Sequence, residues 1–254
     1  MPLELPYDLA GSTLLLVALG ALIVGFSKTS IGGMGTIATA LFALALPTRE
    51  STGAVLLLLI VGDIVAVLSY RRDANWTLLR HLLPAMLPGL VIGTVILHVI
   101  NDNSLRVWIG VLISVLVVLQ LIMQWRQRGK ELTLKHHPPL VSWLAGGSAG
   151  VATMTANAAG PITTLYLLST GVDKRQFLGT AAWYYFIGNL IKVPFSAGIG
   201  LMPPATLLLT VMLAPVVLLG TLIGRLVIKR INQKLFSWLV LAGSALAAIA
   251  LLAR

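Results

Sequence analysis

The sequence predicts an all-α polytopic membrane protein made of two inverted-topology repeats, each a glycine-rich helical hairpin followed by three transmembrane helices. Three observations lead to this fold class. The 254 residues are 57% hydrophobic and 10% charged, with a mean hydropathy of +0.95, which lies outside the range of soluble globular proteins. Uncharged runs long enough for a span of about 20 residues recur along the chain. A pattern of small and polar residues recurs after 126 positions.

Composition also excludes several classes of function. The net charge of +10 comes from basic residues spread over short loops, which is typical of membrane topology signals and not of a nucleic-acid-binding face. The absence of cysteine excludes disulfides, cysteine-ligated metal centres and thiol catalysis. The four histidines show no metal-ligand spacing. We therefore expect no cofactor, no metal and no nucleic-acid partner.

The first repeat is predicted over residues 1–127. A helix over 9–27 leads into the glycine-rich stretch 25–35, and a shorter helix leaves it, so residues 9–47 form a hairpin. Spans follow at about 51–70, 76–100 and 104–125. The N-terminus carries Glu4 and Asp8 and no basic residue before Lys28, unlike a cleaved signal peptide, so the first apolar run is expected to remain in the mature protein.

The second repeat is predicted over residues 140–254, after a basic cytoplasmic linker at 128–139. Its hairpin is expected at about 140–170 and its spans at about 176–200, 203–228 and 235–252. A shift of 126 positions sets Ser27 on Thr153 and Asp63 on Asn189. Hence each half contains the same order of elements, and the two hairpins are predicted to meet near the middle of the membrane.

Basic residues decide between two topologies. If each hairpin returns to the side from which it enters and the N-terminus lies outside, 13 of the 18 lysines and arginines fall in cytoplasmic segments and three outside; Lys28 and Lys192 are the other two. If each glycine-rich element crossed once instead, basic loops would fall on both faces, against the positive-inside rule. The first topology gives each half an odd number of crossings, so the halves are inverted and both termini are periplasmic.

Two lysines at membrane depth are the sharpest candidates for a binding site. A lysine inside the bilayer costs several kcal/mol unless it is paired or hydrated, so such residues tend to face cavities. Lys28 ends the first apolar run, and Lys192 lies with Asn189 about four turns into its span, close to Pro194. The alternative for both lysines is that their side chains reach an interface.

The glycine-rich stretch and the hydroxyls of Ser27, Thr29 and Ser30 beside Lys28 suggest an anion site. Gly32, Gly33 and Gly35 open a helix, whose bare N-terminal N–H groups attract anions. Tight helix packing through small residues is the alternative. Asp63 is the only carboxylate clearly inside a span, and it could exchange a proton or form a static ion pair with Lys28 or Lys192.

With these residues laid out, the chain resembles the sulfite exporter TauE/SafE family over nearly its whole length. The resemblance rests on four motifs: Gly-Phe-Ser-Lys at 25–28 followed by Gly-Gly-Met-Gly at 32–35, Gly62-Asp63, Tyr-Arg-Arg at 70–72 followed by Trp76, and Gly188-Asn189 with Lys192 and Pro194. One departure is Ala158-Ala159, where a glycine pair would be expected. The second hairpin tip is therefore expected to be packed, with the first contacting substrate.

The resemblance implies a secondary transporter of the bacterial inner membrane, not an enzyme. It would export a small sulfur-containing anion such as sulfite or a sulfonate by alternating access around a midplane site. Expected partners are the anion, the lipid bilayer, a coupling proton or sodium ion, and a second copy of the chain in a homodimer. The alternatives are a transporter of another small anion, an uptake permease, an intramembrane enzyme and a non-transporting assembly subunit.

The predicted site residues fall into two groups. Asp63 is expected to couple a proton. The substrate-binding residues are expected to be Ser27, Lys28, Thr29, Gly32, Gly33, Gly35, Thr153, Thr155, Asn157, Asn189 and Lys192.

Overall fold

The computed structural model describes residues 7, 9, 11–30, 35–126 and 138–227, and within these ranges the chain forms nine α-helices and no strand. The helices are α1 (Ser12–Thr29), α2 (Gly35–Ala45), α3 (Thr48–Tyr70), α4 (Trp76–Val99), α5 (Asp102–Arg126), α6 (Pro139–Ala156), α7 (Ala159–Ser169), α8 (Lys174–Gly198) and α9 (Pro204–Val227). The predicted span 235–252 and most of the linker lie outside the described residues, as does the first hairpin tip at 31–34.

Helix length and composition confirm the all-helical, multi-pass membrane class. Four of the described helices, α1, α3, α4 and α9, are long and apolar enough to cross a membrane. α5 and α8 have 25 residues each, which at about 1.5 Å per residue is also enough for a span. Large apolar side chains on α4, α5 and α9 remain exposed, as expected of surfaces that face lipid.

Two pairs of helices occupy the positions of the predicted hairpins. α1 contacts α2, and α6 contacts α7. α2 and α7 have 11 residues each, or roughly 16 Å, about half the thickness of a hydrocarbon core. α6 ends where Asn157 adopts a left-handed conformation with φ 50°, and the next N–H, from Ala158, donates to the Ala152 carbonyl at 3.1 Å. Asn157 and Ala158 are buried, so α7 begins inside the protein.

Small residues allow the hairpins to pack closely on spans from the opposite half of the chain. α1 packs on α9, where Gly25 contacts the Val217 carbonyl and Gly220 contacts the Leu22 carbonyl. α6 packs on α4 in the same way, through Gly150. A side chain at any of these glycines would overlap the backbone of the neighbouring helix, and such small-residue contacts are a common basis of helix association in bilayers.

α3 is the central span and crosses α8. Of its most apolar stretch 67% is buried, compared with 33–39% for α1, α4 and α9. At the start of α3, Gly53 contacts the carbonyl of Leu201, just beyond the end of α8. At the start of α8, Gly179 approaches the carbonyl of Tyr70, at the end of α3. The two helices therefore run antiparallel, with their middles in contact.

Candidate functional site

A cavity with both polar and apolar side chains in its wall lies where the inner ends of the two hairpins meet the middles of α3 and α8. The empty space in it and at its opening, open solvent included, is about 650 Å³. Six helices contribute to its wall: α1, α2, α3, α6, α7 and α8. The polar side chains that line it are Ser27, Lys28, Ser30, Thr36, Asp63, Thr153, Asn157, Tyr185 and Asn189.

Asp63 connects three helices at the centre of the molecule. Its Oδ1 atom lies 2.6 Å from the Lys28 ammonium nitrogen, and its Oδ2 atom accepts a hydrogen bond of 2.6 Å from the Asn189 side-chain amide. Asp63 has no solvent exposure. A carboxylate buried at this depth is stable only with such partners, so α1, α3 and α8 are held together through its two oxygens.

Lys28 retains one side that faces the cavity. Its side chain is 8% exposed, and its ammonium lies 4.7 Å from the centre of the Tyr185 ring. This distance is within the range of a cation–π interaction, which stabilises a cation in a site shielded from water. An ammonium has three N–H groups and Asp63 faces one of its sides, so Lys28 can also donate to a ligand in the cavity.

Lys192 is held differently, by uncharged groups of the second hairpin. Its ammonium donates to the Thr153 carbonyl at 2.6 Å, the Thr153 hydroxyl at 3.3 Å and the Asn157 side-chain oxygen at 2.6 Å. The side-chain amide of Asn157 in turn donates to the Thr52 carbonyl in α3 at 3.0 Å. Lys192 is 1% exposed, and these three acceptors match its three donors. It supplies charge to the cavity wall and fixes the hairpin end.

The side chains around the cavity carry a net positive charge, which favours the binding of an anion. Lys28 and Lys192 contribute two positive charges and Asp63 one negative charge, and no other charged side chain of the described residues lines or supports the cavity. The N-terminal ends of α2 and α7, at Gly35, Ala159 and Gly160, also belong to its wall. Helix N-termini carry a partial positive charge and unpaired N–H groups. The arrangement suits a small anion.

The structure brings together most of the side chains that the sequence predicts for the site. Ser27, Lys28, Gly35, Asp63, Thr153, Asn157 and Asn189 line the cavity, and Lys192 supports it from behind. Gly32 and Gly33 lie outside the described residues. The predicted packing of the second tip holds for Ala158, which is fully buried, but Ala159 beside it lines the cavity.

The hydroxyls of Thr29 and Thr155 are directed away from the cavity. The Thr29 hydroxyl donates to the Thr221 carbonyl in α9 at 2.8 Å, and the Thr155 hydroxyl donates to the Val151 carbonyl within α6 at 2.9 Å. Successive helical residues point about 100° apart, so Thr29, one position after Lys28, and Thr155, two positions after Thr153, do not share the faces of those residues.

Sequence reasoning did not identify Tyr185 or Thr36 as part of the wall, whereas Ser30, whose hydroxyl was expected beside Lys28, does line the cavity. Tyr185 precedes Asn189 by one helical turn, and this spacing is the signal that places both on one face of α8. Thr36 follows the glycine-rich tip, and no signal beyond that proximity marks it in the sequence.

Comparison with known protein families shows to which family the chain belongs. The family model described as sulfite exporter TauE/SafE matches residues 17–251. The chain belongs to the TauE/SafE family. No curated protein and no solved structure matches the sequence.

Membership of the TauE/SafE family, which the match to residues 17–251 establishes, gives the general activity. TauE/SafE proteins are membrane transporters of sulfur-containing anions, so this chain is a multi-pass transporter with a small anionic substrate, and not an enzyme. The excess of positive charge in the cavity agrees with that substrate class.

Proposed function

We propose that this TauE/SafE protein exports a small sulfur-containing anion, such as sulfite or a sulfonate, by alternating access around the cavity between the two hairpins. The observation that carries the proposal is the pair of buried lysines balanced by one carboxylate. An uncompensated positive charge in a low-dielectric site is costly, and a bound anion removes that cost. Transport would take place in a bacterial inner membrane and would be driven by a gradient.

In this proposal each part of the cavity has a distinct role. Lys28 contacts the anion directly, because its ammonium faces the cavity. Lys192 acts through its charge, because its donors are already used by Thr153 and Asn157. The N-terminal N–H groups of α2 and α7 complete the site, whereas the Ser27 hydroxyl donates to the Val24 carbonyl at 2.9 Å and contributes only its oxygen to the wall.

We also propose that the two halves, 1–127 and 140–254, are inverted repeats related by a two-fold axis in the membrane plane. The contacts support this in pairs: α1 on α9 corresponds to α6 on α4, and Gly53 beside Leu201 corresponds to Gly179 beside Tyr70. Asp63 and Asn189, 126 positions apart, bond to each other, as equivalent residues can do only close to the axis. A two-fold axis that relates the antiparallel helices α3 and α8 is perpendicular to both helices. For helices that cross the membrane, such an axis lies in the membrane plane.

The orientation of the halves can be tested by labelling single cysteines in the cysteine-free chain. We expect Glu50→Cys to react with a membrane-impermeant maleimide from the periplasm and Arg175→Cys from the cytoplasm, because the two positions begin equivalent spans of opposite direction. Asn103→Cys and Arg72→Cys serve as matched reference positions for the periplasmic and cytoplasmic faces. Reaction of Glu50→Cys and Arg175→Cys from one side would contradict the inverted arrangement.

The substrate class can be tested by ligand-induced stabilisation of the purified protein. We expect one or more of sulfite, thiosulfate, sulfate, sulfoacetate, taurine and phosphate to raise the melting temperature. A ligand present at 100 times its dissociation constant contributes about 2.7 kcal/mol to the free energy of unfolding, which a melting curve resolves. The same panel with the chloride salts of the counterions controls for ionic strength. A protein stabilised by none of these anions would contradict the proposal.

A further inference from the structure

Few charged side chains lie around the cavity, so the net charge of the site can be obtained by counting them. Within the described residues they are Lys28, Lys192 and Asp63, and the other charged residues of the described helices lie near helix ends. With both lysines protonated, the net charge of the site is therefore +1 when Asp63 is ionised and +2 when it is protonated. The Lys28 ammonium, 2.6 Å from Asp63, favours the ionised carboxylate.

No other charged or titratable group on the helices packed against α3 changes this count. From α1 Asp63 meets Lys28, and from α8 it interacts with Lys192 and Tyr185. α2 contains no titratable residue. α9 contributes only Arg225, which lies near Tyr70 at the end of α3, and the charged residues of α5 are at its ends.

We propose that Asp63 sets the charge of the transported anion, so that a univalent anion moves without a proton and a divalent anion moves together with one proton. This inference rests on the proposed function, and it adds the charge of the anion that the site accepts. In both cases the loaded site carries no net charge. Asp63 is thereby a specificity-determining residue for the charge of the substrate.

The physical reason is the cost of an unbalanced charge in the middle of the membrane. With Asp63 ionised, one univalent anion such as a sulfonate neutralises the site. A divalent anion would leave a net charge of −1 there, which the low-dielectric surroundings penalise strongly. A proton taken from water onto the Asp63 carboxylate converts the site to +2, and the divalent anion then fits. The proton leaves Asp63 to water when the anion leaves.

The geometry allows Asp63 to be protonated without losing all its contacts. Asn189 continues to donate to Oδ2, and Lys28, which no longer faces a carboxylate charge, can donate to the anion instead. Lys192 does not change, because its partners Thr153 and Asn157 are uncharged. The switch therefore involves one proton and one ammonium, and no rearrangement of the second hairpin is needed.

The experiment uses two anions whose own charge does not change near neutral pH, methanesulfonate (−1) and thiosulfate (−2). Dissociation constants of the detergent-purified, full-length protein are measured by calorimetry between about pH 6 and pH 8. We expect the methanesulfonate constant to be independent of pH. We expect the thiosulfate constant to increase about tenfold per pH unit, because one proton is taken up with each anion. Repeating the titrations in buffers of different ionisation enthalpy measures that proton directly.

The variant Asp63→Asn fixes the charge of the site at +2. Its thiosulfate constant is expected to be independent of pH, and thiosulfate is expected to bind at least about tenfold more tightly than methanesulfonate. Asp73→Asn, the same change in the loop between α3 and α4, is the matched control and should behave as the unmodified protein. The titrations of the unmodified protein remain decisive if Asp63→Asn does not fold.

The outcomes separate this inference from the proposed function. Binding of thiosulfate with no uptake of a proton and no dependence on pH would overturn the role of Asp63 while leaving an anion transporter. Uptake of a proton with methanesulfonate would overturn it as well. Failure of both anions to bind at any pH, with an Asp63→Asn variant that also binds neither, would instead contradict the anion site itself.

Discussion

Replacing Lys28 by methionine is expected to abolish anion transport and to lower the free energy of unfolding by about 3–5 kcal/mol. The change leaves the Asp63 carboxylate buried with a single hydrogen bond, from Asn189, and no cation beside it. Removing one partner of a buried ion pair costs this much because the remaining charge is not solvated. Efflux from proteoliposomes measures the first effect, and denaturant titration in detergent measures the second.

A double variant separates the two roles of Lys28. Lys28→Met with Asp63→Asn removes both charges of the pair, so most of the lost stability should return. Transport should not return, because the ammonium that faces the cavity is still absent. A double variant that transports anions at the original rate would show that Lys28 has only a structural role.

Replacing Lys192 by methionine is expected to weaken anion binding by roughly 30-fold. The net charge of the site falls from +1 to zero, and the loss of one charge several ångströms from the anion, at an effective dielectric constant near 20, is worth about 2 kcal/mol. The variant should also lose stability, because the Thr153 carbonyl and the Asn157 side-chain oxygen lose a buried donor. Dissociation constants and melting temperatures measure the two effects.

The variant Asn157→Ala is the matched control for Lys192→Met. It removes the hydrogen bonds of Asn157 to Lys192 and to the Thr52 carbonyl but keeps the charge of the ammonium. We expect it to lower the melting temperature while the anion affinity changes only about threefold or less. Equal losses of affinity in the two variants would mean that the position of the hairpin, and not the charge of Lys192, determines binding.

The charged part of the site could be predicted from the sequence because charge is rare at membrane depth. Lys28, Asp63 and Lys192 stand out in apolar runs, and the structure places all three at one cavity. Sequence could not decide which lysine pairs with Asp63, since both were possible partners. That choice depends on the crossing of α1, α3 and α8, which only tertiary packing determines.

Uncharged parts of the site were harder to predict, and the reason is geometric. A tyrosine or threonine within an apolar run is ordinary in a membrane helix, so Thr36 gave no signal and Tyr185 was marked only by its spacing of one turn from Asn189. Thr29 was expected in the site because it follows Lys28, yet its hydroxyl donates to a carbonyl of α9. The helical membrane class follows from hydropathy, whereas the direction of each side chain depends on neighbours distant in sequence.

The packing of α1 on α9 has a consequence for biosynthesis. Gly25 and its contact at Val217 are separated by 192 positions, as are Thr29 and the Thr221 carbonyl to which it donates. At about 5–20 residues per second, the ribosome needs roughly 10–40 s to make the second partner after the first. During that interval the face of α1 around Gly25 has only lipid or the translocon to cover it. α1 therefore reaches its neighbours α2 and α3 early and its neighbour α9 late.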